Sequence, residues 1–301
     1  MSIVHVIVLA VVQGLAELLP VSSSAHVVVA EKLMGLDPSS PQMTLLLVML
    51  HTGTMFAVIA YFWKQWRQTY FSTVDAFKRF AVRLVWATAL TGVVGETLKK
   101  VIEHTLFKGA PKAEIEDLFG RLDLIAPALA CAGVLILIAG LRKSGVDDVE
   151  KSEAGSITRR PSGSVTMGQA GWMGFVQGLA LPFRGFSRSG STISTGMLAG
   201  AAKERAERFS FALAVVLTPA VVAQEALRLL KATHAAADTG APIDLHGTVA
   251  MSLLGAVFSF AAGLVALKWL SSWLEHGRWY LFGIYCLVAS GVVFGLHMRG
   301  Y

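Results

Sequence analysis

Six apolar stretches dominate this sequence, and most are close to the length that crosses a lipid bilayer. They cover residues 43–63, 84–95, 124–141, 209–224, 245–267 and 279–298. A spanning helix needs about 20 mostly apolar residues. The stretch at 84–95 is shorter, but Arg83 and Lys99 at its ends can extend their charged groups toward the membrane surface. The sequence therefore predicts an all-α polytopic membrane protein with about six transmembrane helices.

The composition excludes the main alternatives. Hydrophobic residues make up 54% of the 301 residues, charged residues 15%, and the mean hydropathy is +0.60. A soluble globular chain carries roughly 25% charged residues, and disorder requires low hydrophobicity. The net charge of +6 does not indicate a nucleic-acid partner, because the basic residues lie mainly in short breaks between apolar stretches. Cys131 and Cys286 have neither metal-site nor disulfide-framework spacing.

Four shorter apolar segments do not cross a membrane alone. Segments 3–19 and 21–34 meet at Pro20, and segments 165–181 and 189–202 meet at a polar turn after Pro182. Non-helical backbone at membrane depth is tolerated only where protein or a water-filled cavity satisfies it. Each pair therefore predicts a re-entrant helical hairpin, and paired broken segments are a pointer to a buried site.

The two hairpins belong to an internal repeat. The sequence Gln-Gly-Leu-Ala occurs at 13–16 and again at 177–180, followed each time by a proline, a serine cluster and three spans. Because three spans reverse the side of entry, the second copy is predicted to be inverted. We expect a single membrane domain over 1–301, with repeat one at about 1–145, a cytoplasmic loop at about 142–162 and repeat two at about 163–301.

The distribution of basic residues predicts the orientation. Loops around 64–83, 142–160, 203–208 and 268–278 carry 15 lysines and arginines, whereas the opposite side, with the termini, carries 9. Cytoplasmic loops are enriched in these residues. The first set of loops is therefore predicted to be cytoplasmic, with both termini outside.

The first hairpin turn concentrates polar side chains within a few residues of Pro20: Glu17, Ser22, Ser23, Ser24 and His26. An ionisable side chain inside a membrane segment indicates a functional site. Gln13 lies four residues before Glu17 and so shares one face of a helix with it. The serines after the proline can cap the second short helix, or its N-terminus can bind an anion.

The second turn adds a cation and further hydroxyl groups. It contains Ser187, Arg188, Ser189 and Thr192. An arginine stays charged and offers planar, bidentate recognition of phosphate. Together the two turns combine a carboxylate, a histidine, hydroxyl groups and two helix N-termini, a set that favours a phosphate or diphosphate ligand.

These motifs resemble those of the undecaprenyl-diphosphate phosphatases, a family of bacterial inner-membrane enzymes. The resemblance rests on residues 13–26 and 186–192 and extends along nearly the whole chain. It implies hydrolysis of a polyprenyl diphosphate to the monophosphate and inorganic phosphate, which recycles the lipid carrier for cell-wall synthesis. It also implies a divalent cation, Mg²⁺ or Ca²⁺, an active site open to the extracytoplasmic side, and contact with membrane lipids. A homodimer is compatible with the sequence.

The resemblance also assigns site residues. Glu17, Ser23, His26 and Arg188 would be catalytic. Phosphate binding would fall to Ser22, Ser24, Ser187, Ser189 and Thr192, and Glu17 and Gln13 would hold the metal. Gln13 stands where many family members have glutamate, which lowers the charge of the metal site. Arg184 stands where proline is usual.

Some alternatives stay open at this level. The nucleophile is either Ser23, activated by His26 or Glu17, or His26 itself. Inverted repeats with broken helices are also the architecture of secondary transporters, so a non-hydrolytic flippase of a lipid phosphate is the second hypothesis. A purely structural membrane subunit is a third, weaker one. His51 is expected to be a packed residue outside the site.

Overall fold

The structure, a computed structural model, describes residues 2–37, 40–106, 120–142, 164–238, 245–275 and 278–301. These ranges contain ten α-helices and no strand, which confirms the predicted all-α class. The helices are α1 (Ile3–Leu18), α2 (Ser23–Leu33), α3 (Pro41–Thr69), α4 (Val74–Leu106), α5 (Leu122–Leu141), α6 (Met167–Ala180), α7 (Arg188–Leu198), α8 (Lys203–Asp238), α9 (Leu245–Glu275) and α10 (Trp279–Met298). Apart from Arg142, the cytoplasmic loop predicted at about 142–162 lies outside the described residues.

Six of these helices are long and apolar enough to cross a bilayer, as predicted: α3, α4, α5, α8, α9 and α10. The protein is therefore a multi-pass membrane protein. The weakest predicted stretch, 84–95, lies inside the 33-residue α4. The charges that bounded it, such as Arg83 and Lys99, belong to the same helix, so the span is longer than its charge-free centre.

The other four helices form two short pairs, α1–α2 and α6–α7, each joined by a turn that contains a proline. Both turns end at a serine with a positive φ, 68° at Ser22 and 43° at Ser187. No other described residue except glycine has a positive φ. This conformation is unfavourable for a residue with a Cβ, and such strain is concentrated at functional sites. The two turns thus share a strained residue at the same place, immediately before the second short helix.

The two halves of the chain pack reciprocally. α1 of the first half lies against α9 of the second, and α6 of the second half lies against α4 of the first. The repeated Gln-Gly-Leu-Ala sequence forms both contacts. A Cβ on Gly14 would lie 2.6 Å from the Cβ of Ala262 on α9, and one on Gly178 would lie 2.7 Å from the Cβ of Val94 on α4. Glycine at these positions lets each broken helix approach a spanning helix of the other half closely.

This close approach predicts a loss of stability in Gly14→Ala. The new methyl group would also meet the backbone oxygen of Ser259 at 2.7 Å, so α1 or α9 must shift. Overpacking of this kind costs about 1–3 kcal/mol, and we expect a lower midpoint of thermal unfolding in detergent. Gly92→Ala is the matched control, because a Cβ there meets nothing within 4 Å. Equal midpoints for the two variants would contradict the packing argument.

Candidate active site

The turns of the two short helix pairs lie against each other. Ser189 Oγ donates a hydrogen bond of 3.3 Å to the backbone oxygen of Leu19, and the backbone N–H of Gly185 donates one of 3.4 Å to Ser24 Oγ. A cavity of about 540 Å³ lies at this junction and is lined by residues of both turns and of helices α3 and α8. Two polar regions whose contacting residues are 161 and 170 positions apart in sequence therefore build one site.

Glu17 lies at the centre of the polar part of this cavity. Its side chain is 9% exposed. Oε2 accepts a short hydrogen bond of 2.5 Å from Ser23 Oγ and another of 3.0 Å from Gln13 Nε2. Oε1 accepts a hydrogen bond from Arg188 Nη2, which makes an ion pair between the two turns. The carboxylate thus connects a hydroxyl group, an amide and a guanidinium.

Arg188 is the first residue of α7 and lines the cavity. Burying the Glu17 carboxylate is costly without a cation beside it, and Arg188 supplies that cation. A guanidinium has five N–H groups. Arg188 can therefore hold Glu17 and still donate hydrogen bonds to a phosphate oxygen in the cavity.

The five residues predicted to bind phosphate differ in placement. Ser22, Ser24, Ser187 and Ser189 line the cavity together with Ser23. Ser187 also caps α7, because its Oγ accepts a hydrogen bond of 3.2 Å from the backbone N–H of Gly190. Thr192 does not line the cavity. Its hydroxyl group lies 2.5 Å from Ser210 Oγ on α8 and so joins α7 to α8.

His26 makes hydrogen bonds to neither Glu17 nor Ser23. Its Nδ1 is 2.8 Å from the backbone oxygen of Ser22, and its Nε2 is 2.6 Å from the hydroxyl oxygen of Tyr285 on α10. The His26 and Tyr285 rings stack with their centroids 5.6 Å apart. Sequence proximity favoured a contact between His26 and Ser23, but Ser23 donates to Glu17 whereas His26 pairs with Tyr285, and His26 is not among the residues that line the cavity.

The histidine beside Glu17 is instead His51. Its Nε2 lies 3.5 Å from Glu17 Oε2, its side chain is 42% exposed, and it lines the cavity. The sequence offered no strong signal for it, because α3 approaches α1 only in the folded protein. The one hint was a histidine at the centre of a predicted span, where an ionisable side chain is rare.

Gln13 has a side-chain oxygen that is available to bind a metal ion. Its side chain is fully buried in the cavity wall, and its Oε1 has no hydrogen-bond partner. Amide and carboxylate oxygens are the ligands that Mg²⁺ and Ca²⁺ prefer. The residues present therefore fit a divalent cation held by Glu17 and Gln13.

An apolar wall continues from the polar part of the cavity. It includes Leu47 and Val48 of α3 and Leu217, Val221 and Val222 of α8. The cavity thus combines a charged end with an apolar side. This combination suits an amphiphile that has an anionic headgroup and a hydrocarbon tail.

Comparison with known proteins shows the family of the chain. The family model described as bacitracin resistance protein BacA matches residues 6–293. Undecaprenyl-diphosphatase 2 of Acinetobacter baylyi is 57% identical over 297 residues, which cover 98% of both chains. Undecaprenyl-diphosphatase 1 of Burkholderia pseudomallei is 33% identical over 309 residues, which cover 99% of this chain and 98% of that protein. Since the match runs through both short helix pairs and all six long helices, the chain belongs to the BacA family.

Proposed function

We propose that this protein hydrolyses undecaprenyl diphosphate to undecaprenyl phosphate and inorganic phosphate. The observation that carries the proposal is the contact of Glu17 with both Ser23 and Arg188 in one cavity. A nucleophile, a base and a phosphate-binding cation then lie within reach of one phosphorus atom. The names of the similar proteins agree with this substrate, and the apolar wall of α3 and α8 provides room for the first isoprene units.

Substrate binding would place the diphosphate between the two turns and the lipid chain along the apolar wall. Arg188 and the N-termini of α2 and α7 neutralise the charge of the terminal phosphoryl group. Ser22 and Ser24 line the same region, and their hydroxyl groups can donate hydrogen bonds to its oxygens. This arrangement would hold the phosphorus atom in line with Ser23 Oγ, and positioning is a large part of phosphoryl-transfer catalysis.

The geometry favours Ser23 as the nucleophile over His26. Ser23 Oγ already donates its proton toward Glu17 Oε2 at 2.5 Å. Attack of Oγ on the terminal phosphorus transfers that proton to Glu17, and the bond from phosphorus to the bridging oxygen breaks, which releases undecaprenyl phosphate. Water then attacks the phosphorus of the phosphoserine, the bond from phosphorus to Ser23 Oγ breaks, and the proton held by Glu17 returns to Oγ. Inorganic phosphate leaves with the oxygen and one proton of that water, and the other proton passes to the solvent.

The proposal includes a divalent cation, which the family resemblance predicts to be Mg²⁺ or Ca²⁺. Glu17 and the amide oxygen of Gln13 would hold it, and when bound it would neutralise charge on the diphosphate oxygens. Binding requires Gln13 to turn its amide so that oxygen rather than nitrogen faces Glu17. The unpartnered Gln13 Oε1 supports this role.

The cellular setting follows from the same proposal. We expect the protein in the bacterial inner membrane, with both short helix pairs re-entrant and the cavity open to the extracytoplasmic side. Its product would be the lipid carrier that cell-wall synthesis reuses. A homodimer stays a prediction.

Hydrolysis by the purified protein tests the function directly. We expect inorganic phosphate to appear from undecaprenyl diphosphate in detergent, to fall by about 10-fold or more with a chelator, and to return with added Mg²⁺ or Ca²⁺. Protein that moves the lipid between the leaflets of a vesicle without releasing phosphate would instead establish the flippase hypothesis. Hydrolysis that the chelator leaves unchanged would contradict the cation.

Ser23→Ala tests the nucleophile. Because the proposal forms a phosphoserine, this variant is expected to lose about 10³-fold or more of kcat. Mass spectrometry of the rapidly quenched wild-type protein should find the phosphoryl group on Ser23. His26→Gln, which removes a side chain that contacts Tyr285, should lose much less. A phosphoryl group retained on His26 in the Ser23→Ala variant would show that the histidine is the nucleophile.

A further inference from the structure

His51 is oriented in a way that the reaction above does not use. Its Nδ1 lies 2.7 Å from the backbone oxygen of Leu47, one turn earlier on α3. A carbonyl oxygen only accepts hydrogen bonds, so the ring proton is on Nδ1. In the neutral ring, Nε2 then carries a lone pair, and this atom lies 3.5 Å from Glu17 Oε2.

This arrangement is the one that metal-binding histidines adopt. Such a histidine usually donates its other ring N–H to a backbone carbonyl or a carboxylate, which fixes the tautomer and the ring. Here the Leu47 carbonyl has that role. A separation of 3.5 Å between Glu17 Oε2 and His51 Nε2 is also close to the distance between two neighbouring ligands of one ion, since each ligand lies about 2.0–2.2 Å from the metal.

The amide oxygen of Gln13 is a third possible metal ligand beside the same carboxylate oxygen of Glu17. Its amide nitrogen lies 3.0 Å from Glu17 Oε2, and its fully buried Oε1 has no hydrogen-bond partner. A half-turn of the amide exchanges these two atoms. The amide oxygen of Gln13 and the imidazole of His51 would then both face the position next to Glu17 Oε2.

We propose that Glu17 Oε2, Gln13 Oε1 and His51 Nε2 together hold the divalent cation, and that the site therefore prefers a transition metal such as Zn²⁺ over Ca²⁺. This inference rests on the proposed function, because diphosphate oxygens or water complete the coordination. Ca²⁺ and Mg²⁺ select oxygen ligands, whereas an imidazole nitrogen suits Zn²⁺ and its neighbours. The Gln13 amide brings none of the negative charge that hard cations require, and His51 supplies a nitrogen ligand beside it.

Metal binding to the purified full-length protein tests this assignment without substrate turnover. The dissociation constants of Zn²⁺ and Ca²⁺ are measured for the wild type, His51→Gln and the control His297→Gln, which removes an exposed histidine near the end of α10. We expect His51→Gln to weaken Zn²⁺ binding by at least about 10-fold and Ca²⁺ binding by much less. His297→Gln should match the wild type. Equal Zn²⁺ affinity in wild type and His51→Gln would overturn the proposal.

A second measurement needs no variant, so it stands even if His51→Gln does not fold. Electron spin echo envelope modulation spectra of the wild-type protein loaded with Mn²⁺ should show coupling of the metal's electron spin to an imidazole nitrogen. Spectra with oxygen ligands alone would overturn the assignment. Hydrolysis by the same wild-type preparation is measured in parallel, so that loss of the His51 ligand and failure of the diphosphatase function are separate results.

Discussion

Glu17→Gln is expected to lower kcat/KM for undecaprenyl diphosphate by about 10³-fold or more, because one carboxylate serves several groups. It accepts the Ser23 proton, and it holds Arg188. General-base catalysis alone contributes about 10²–10⁴-fold. The amide of the variant cannot take up the proton, and it leaves Arg188 without its anionic partner. The measurement is phosphate release by the purified variant over a range of substrate concentrations.

The control for this prediction is Glu103→Gln. Glu103 lies on α4, is partly exposed and pairs with Lys99 at 3.8 Å, an arrangement that contributes little energy. We expect it to retain wild-type activity and stability. Glu17→Gln also leaves a partly buried guanidinium unpaired, so its midpoint of thermal unfolding should fall. Wild-type activity in Glu17→Gln would rule out this carboxylate as the base.

The fold was largely predictable, because bilayer thickness and backbone hydrogen bonding leave few choices. A stretch such as 279–298 is apolar and of spanning length, and it forms α10 with the predicted bounds. The broken helices were equally predictable from the sequence. Pro20 and the serines after it mark the turn, and α1 and α2 end and begin within a few residues of the predicted positions. Helix ends were less predictable where charged residues continue a helix beyond its apolar centre, as in α4.

Pairing of the two turns was predictable from the repeat, but side-chain directions within the site were not. The contact between Glu17 and Arg188 follows from the need of a buried carboxylate for a cation. The directions of His26 and His51 depend on the tertiary packing of the helices that carry them, α2 and α3, and of α10, which carries Tyr285. A neighbour in sequence, His26, therefore contacts Tyr285, while His51, which is 34 residues from Glu17, lies beside it. The roles of these residues in catalysis stay predictions.

Arg188→Lys should separate charge from geometry at the same site. Lysine keeps the positive charge but loses the planar, forked set of donors that can hold Glu17 and a phosphate oxygen at once. Removal of an arginine that stabilises a transferred phosphoryl group costs about 10³–10⁵-fold in kcat, and we expect the lysine variant to recover only part of the loss seen in Arg188→Ala.

The control is Arg121→Lys. Arg121 is exposed and paired with Asp123, and this variant should behave as wild type. If Arg188→Ala lowered stability but left kcat unchanged, Arg188 would serve only as the structural partner of Glu17, and charge neutralisation would have to come from the N-termini of α2 and α7.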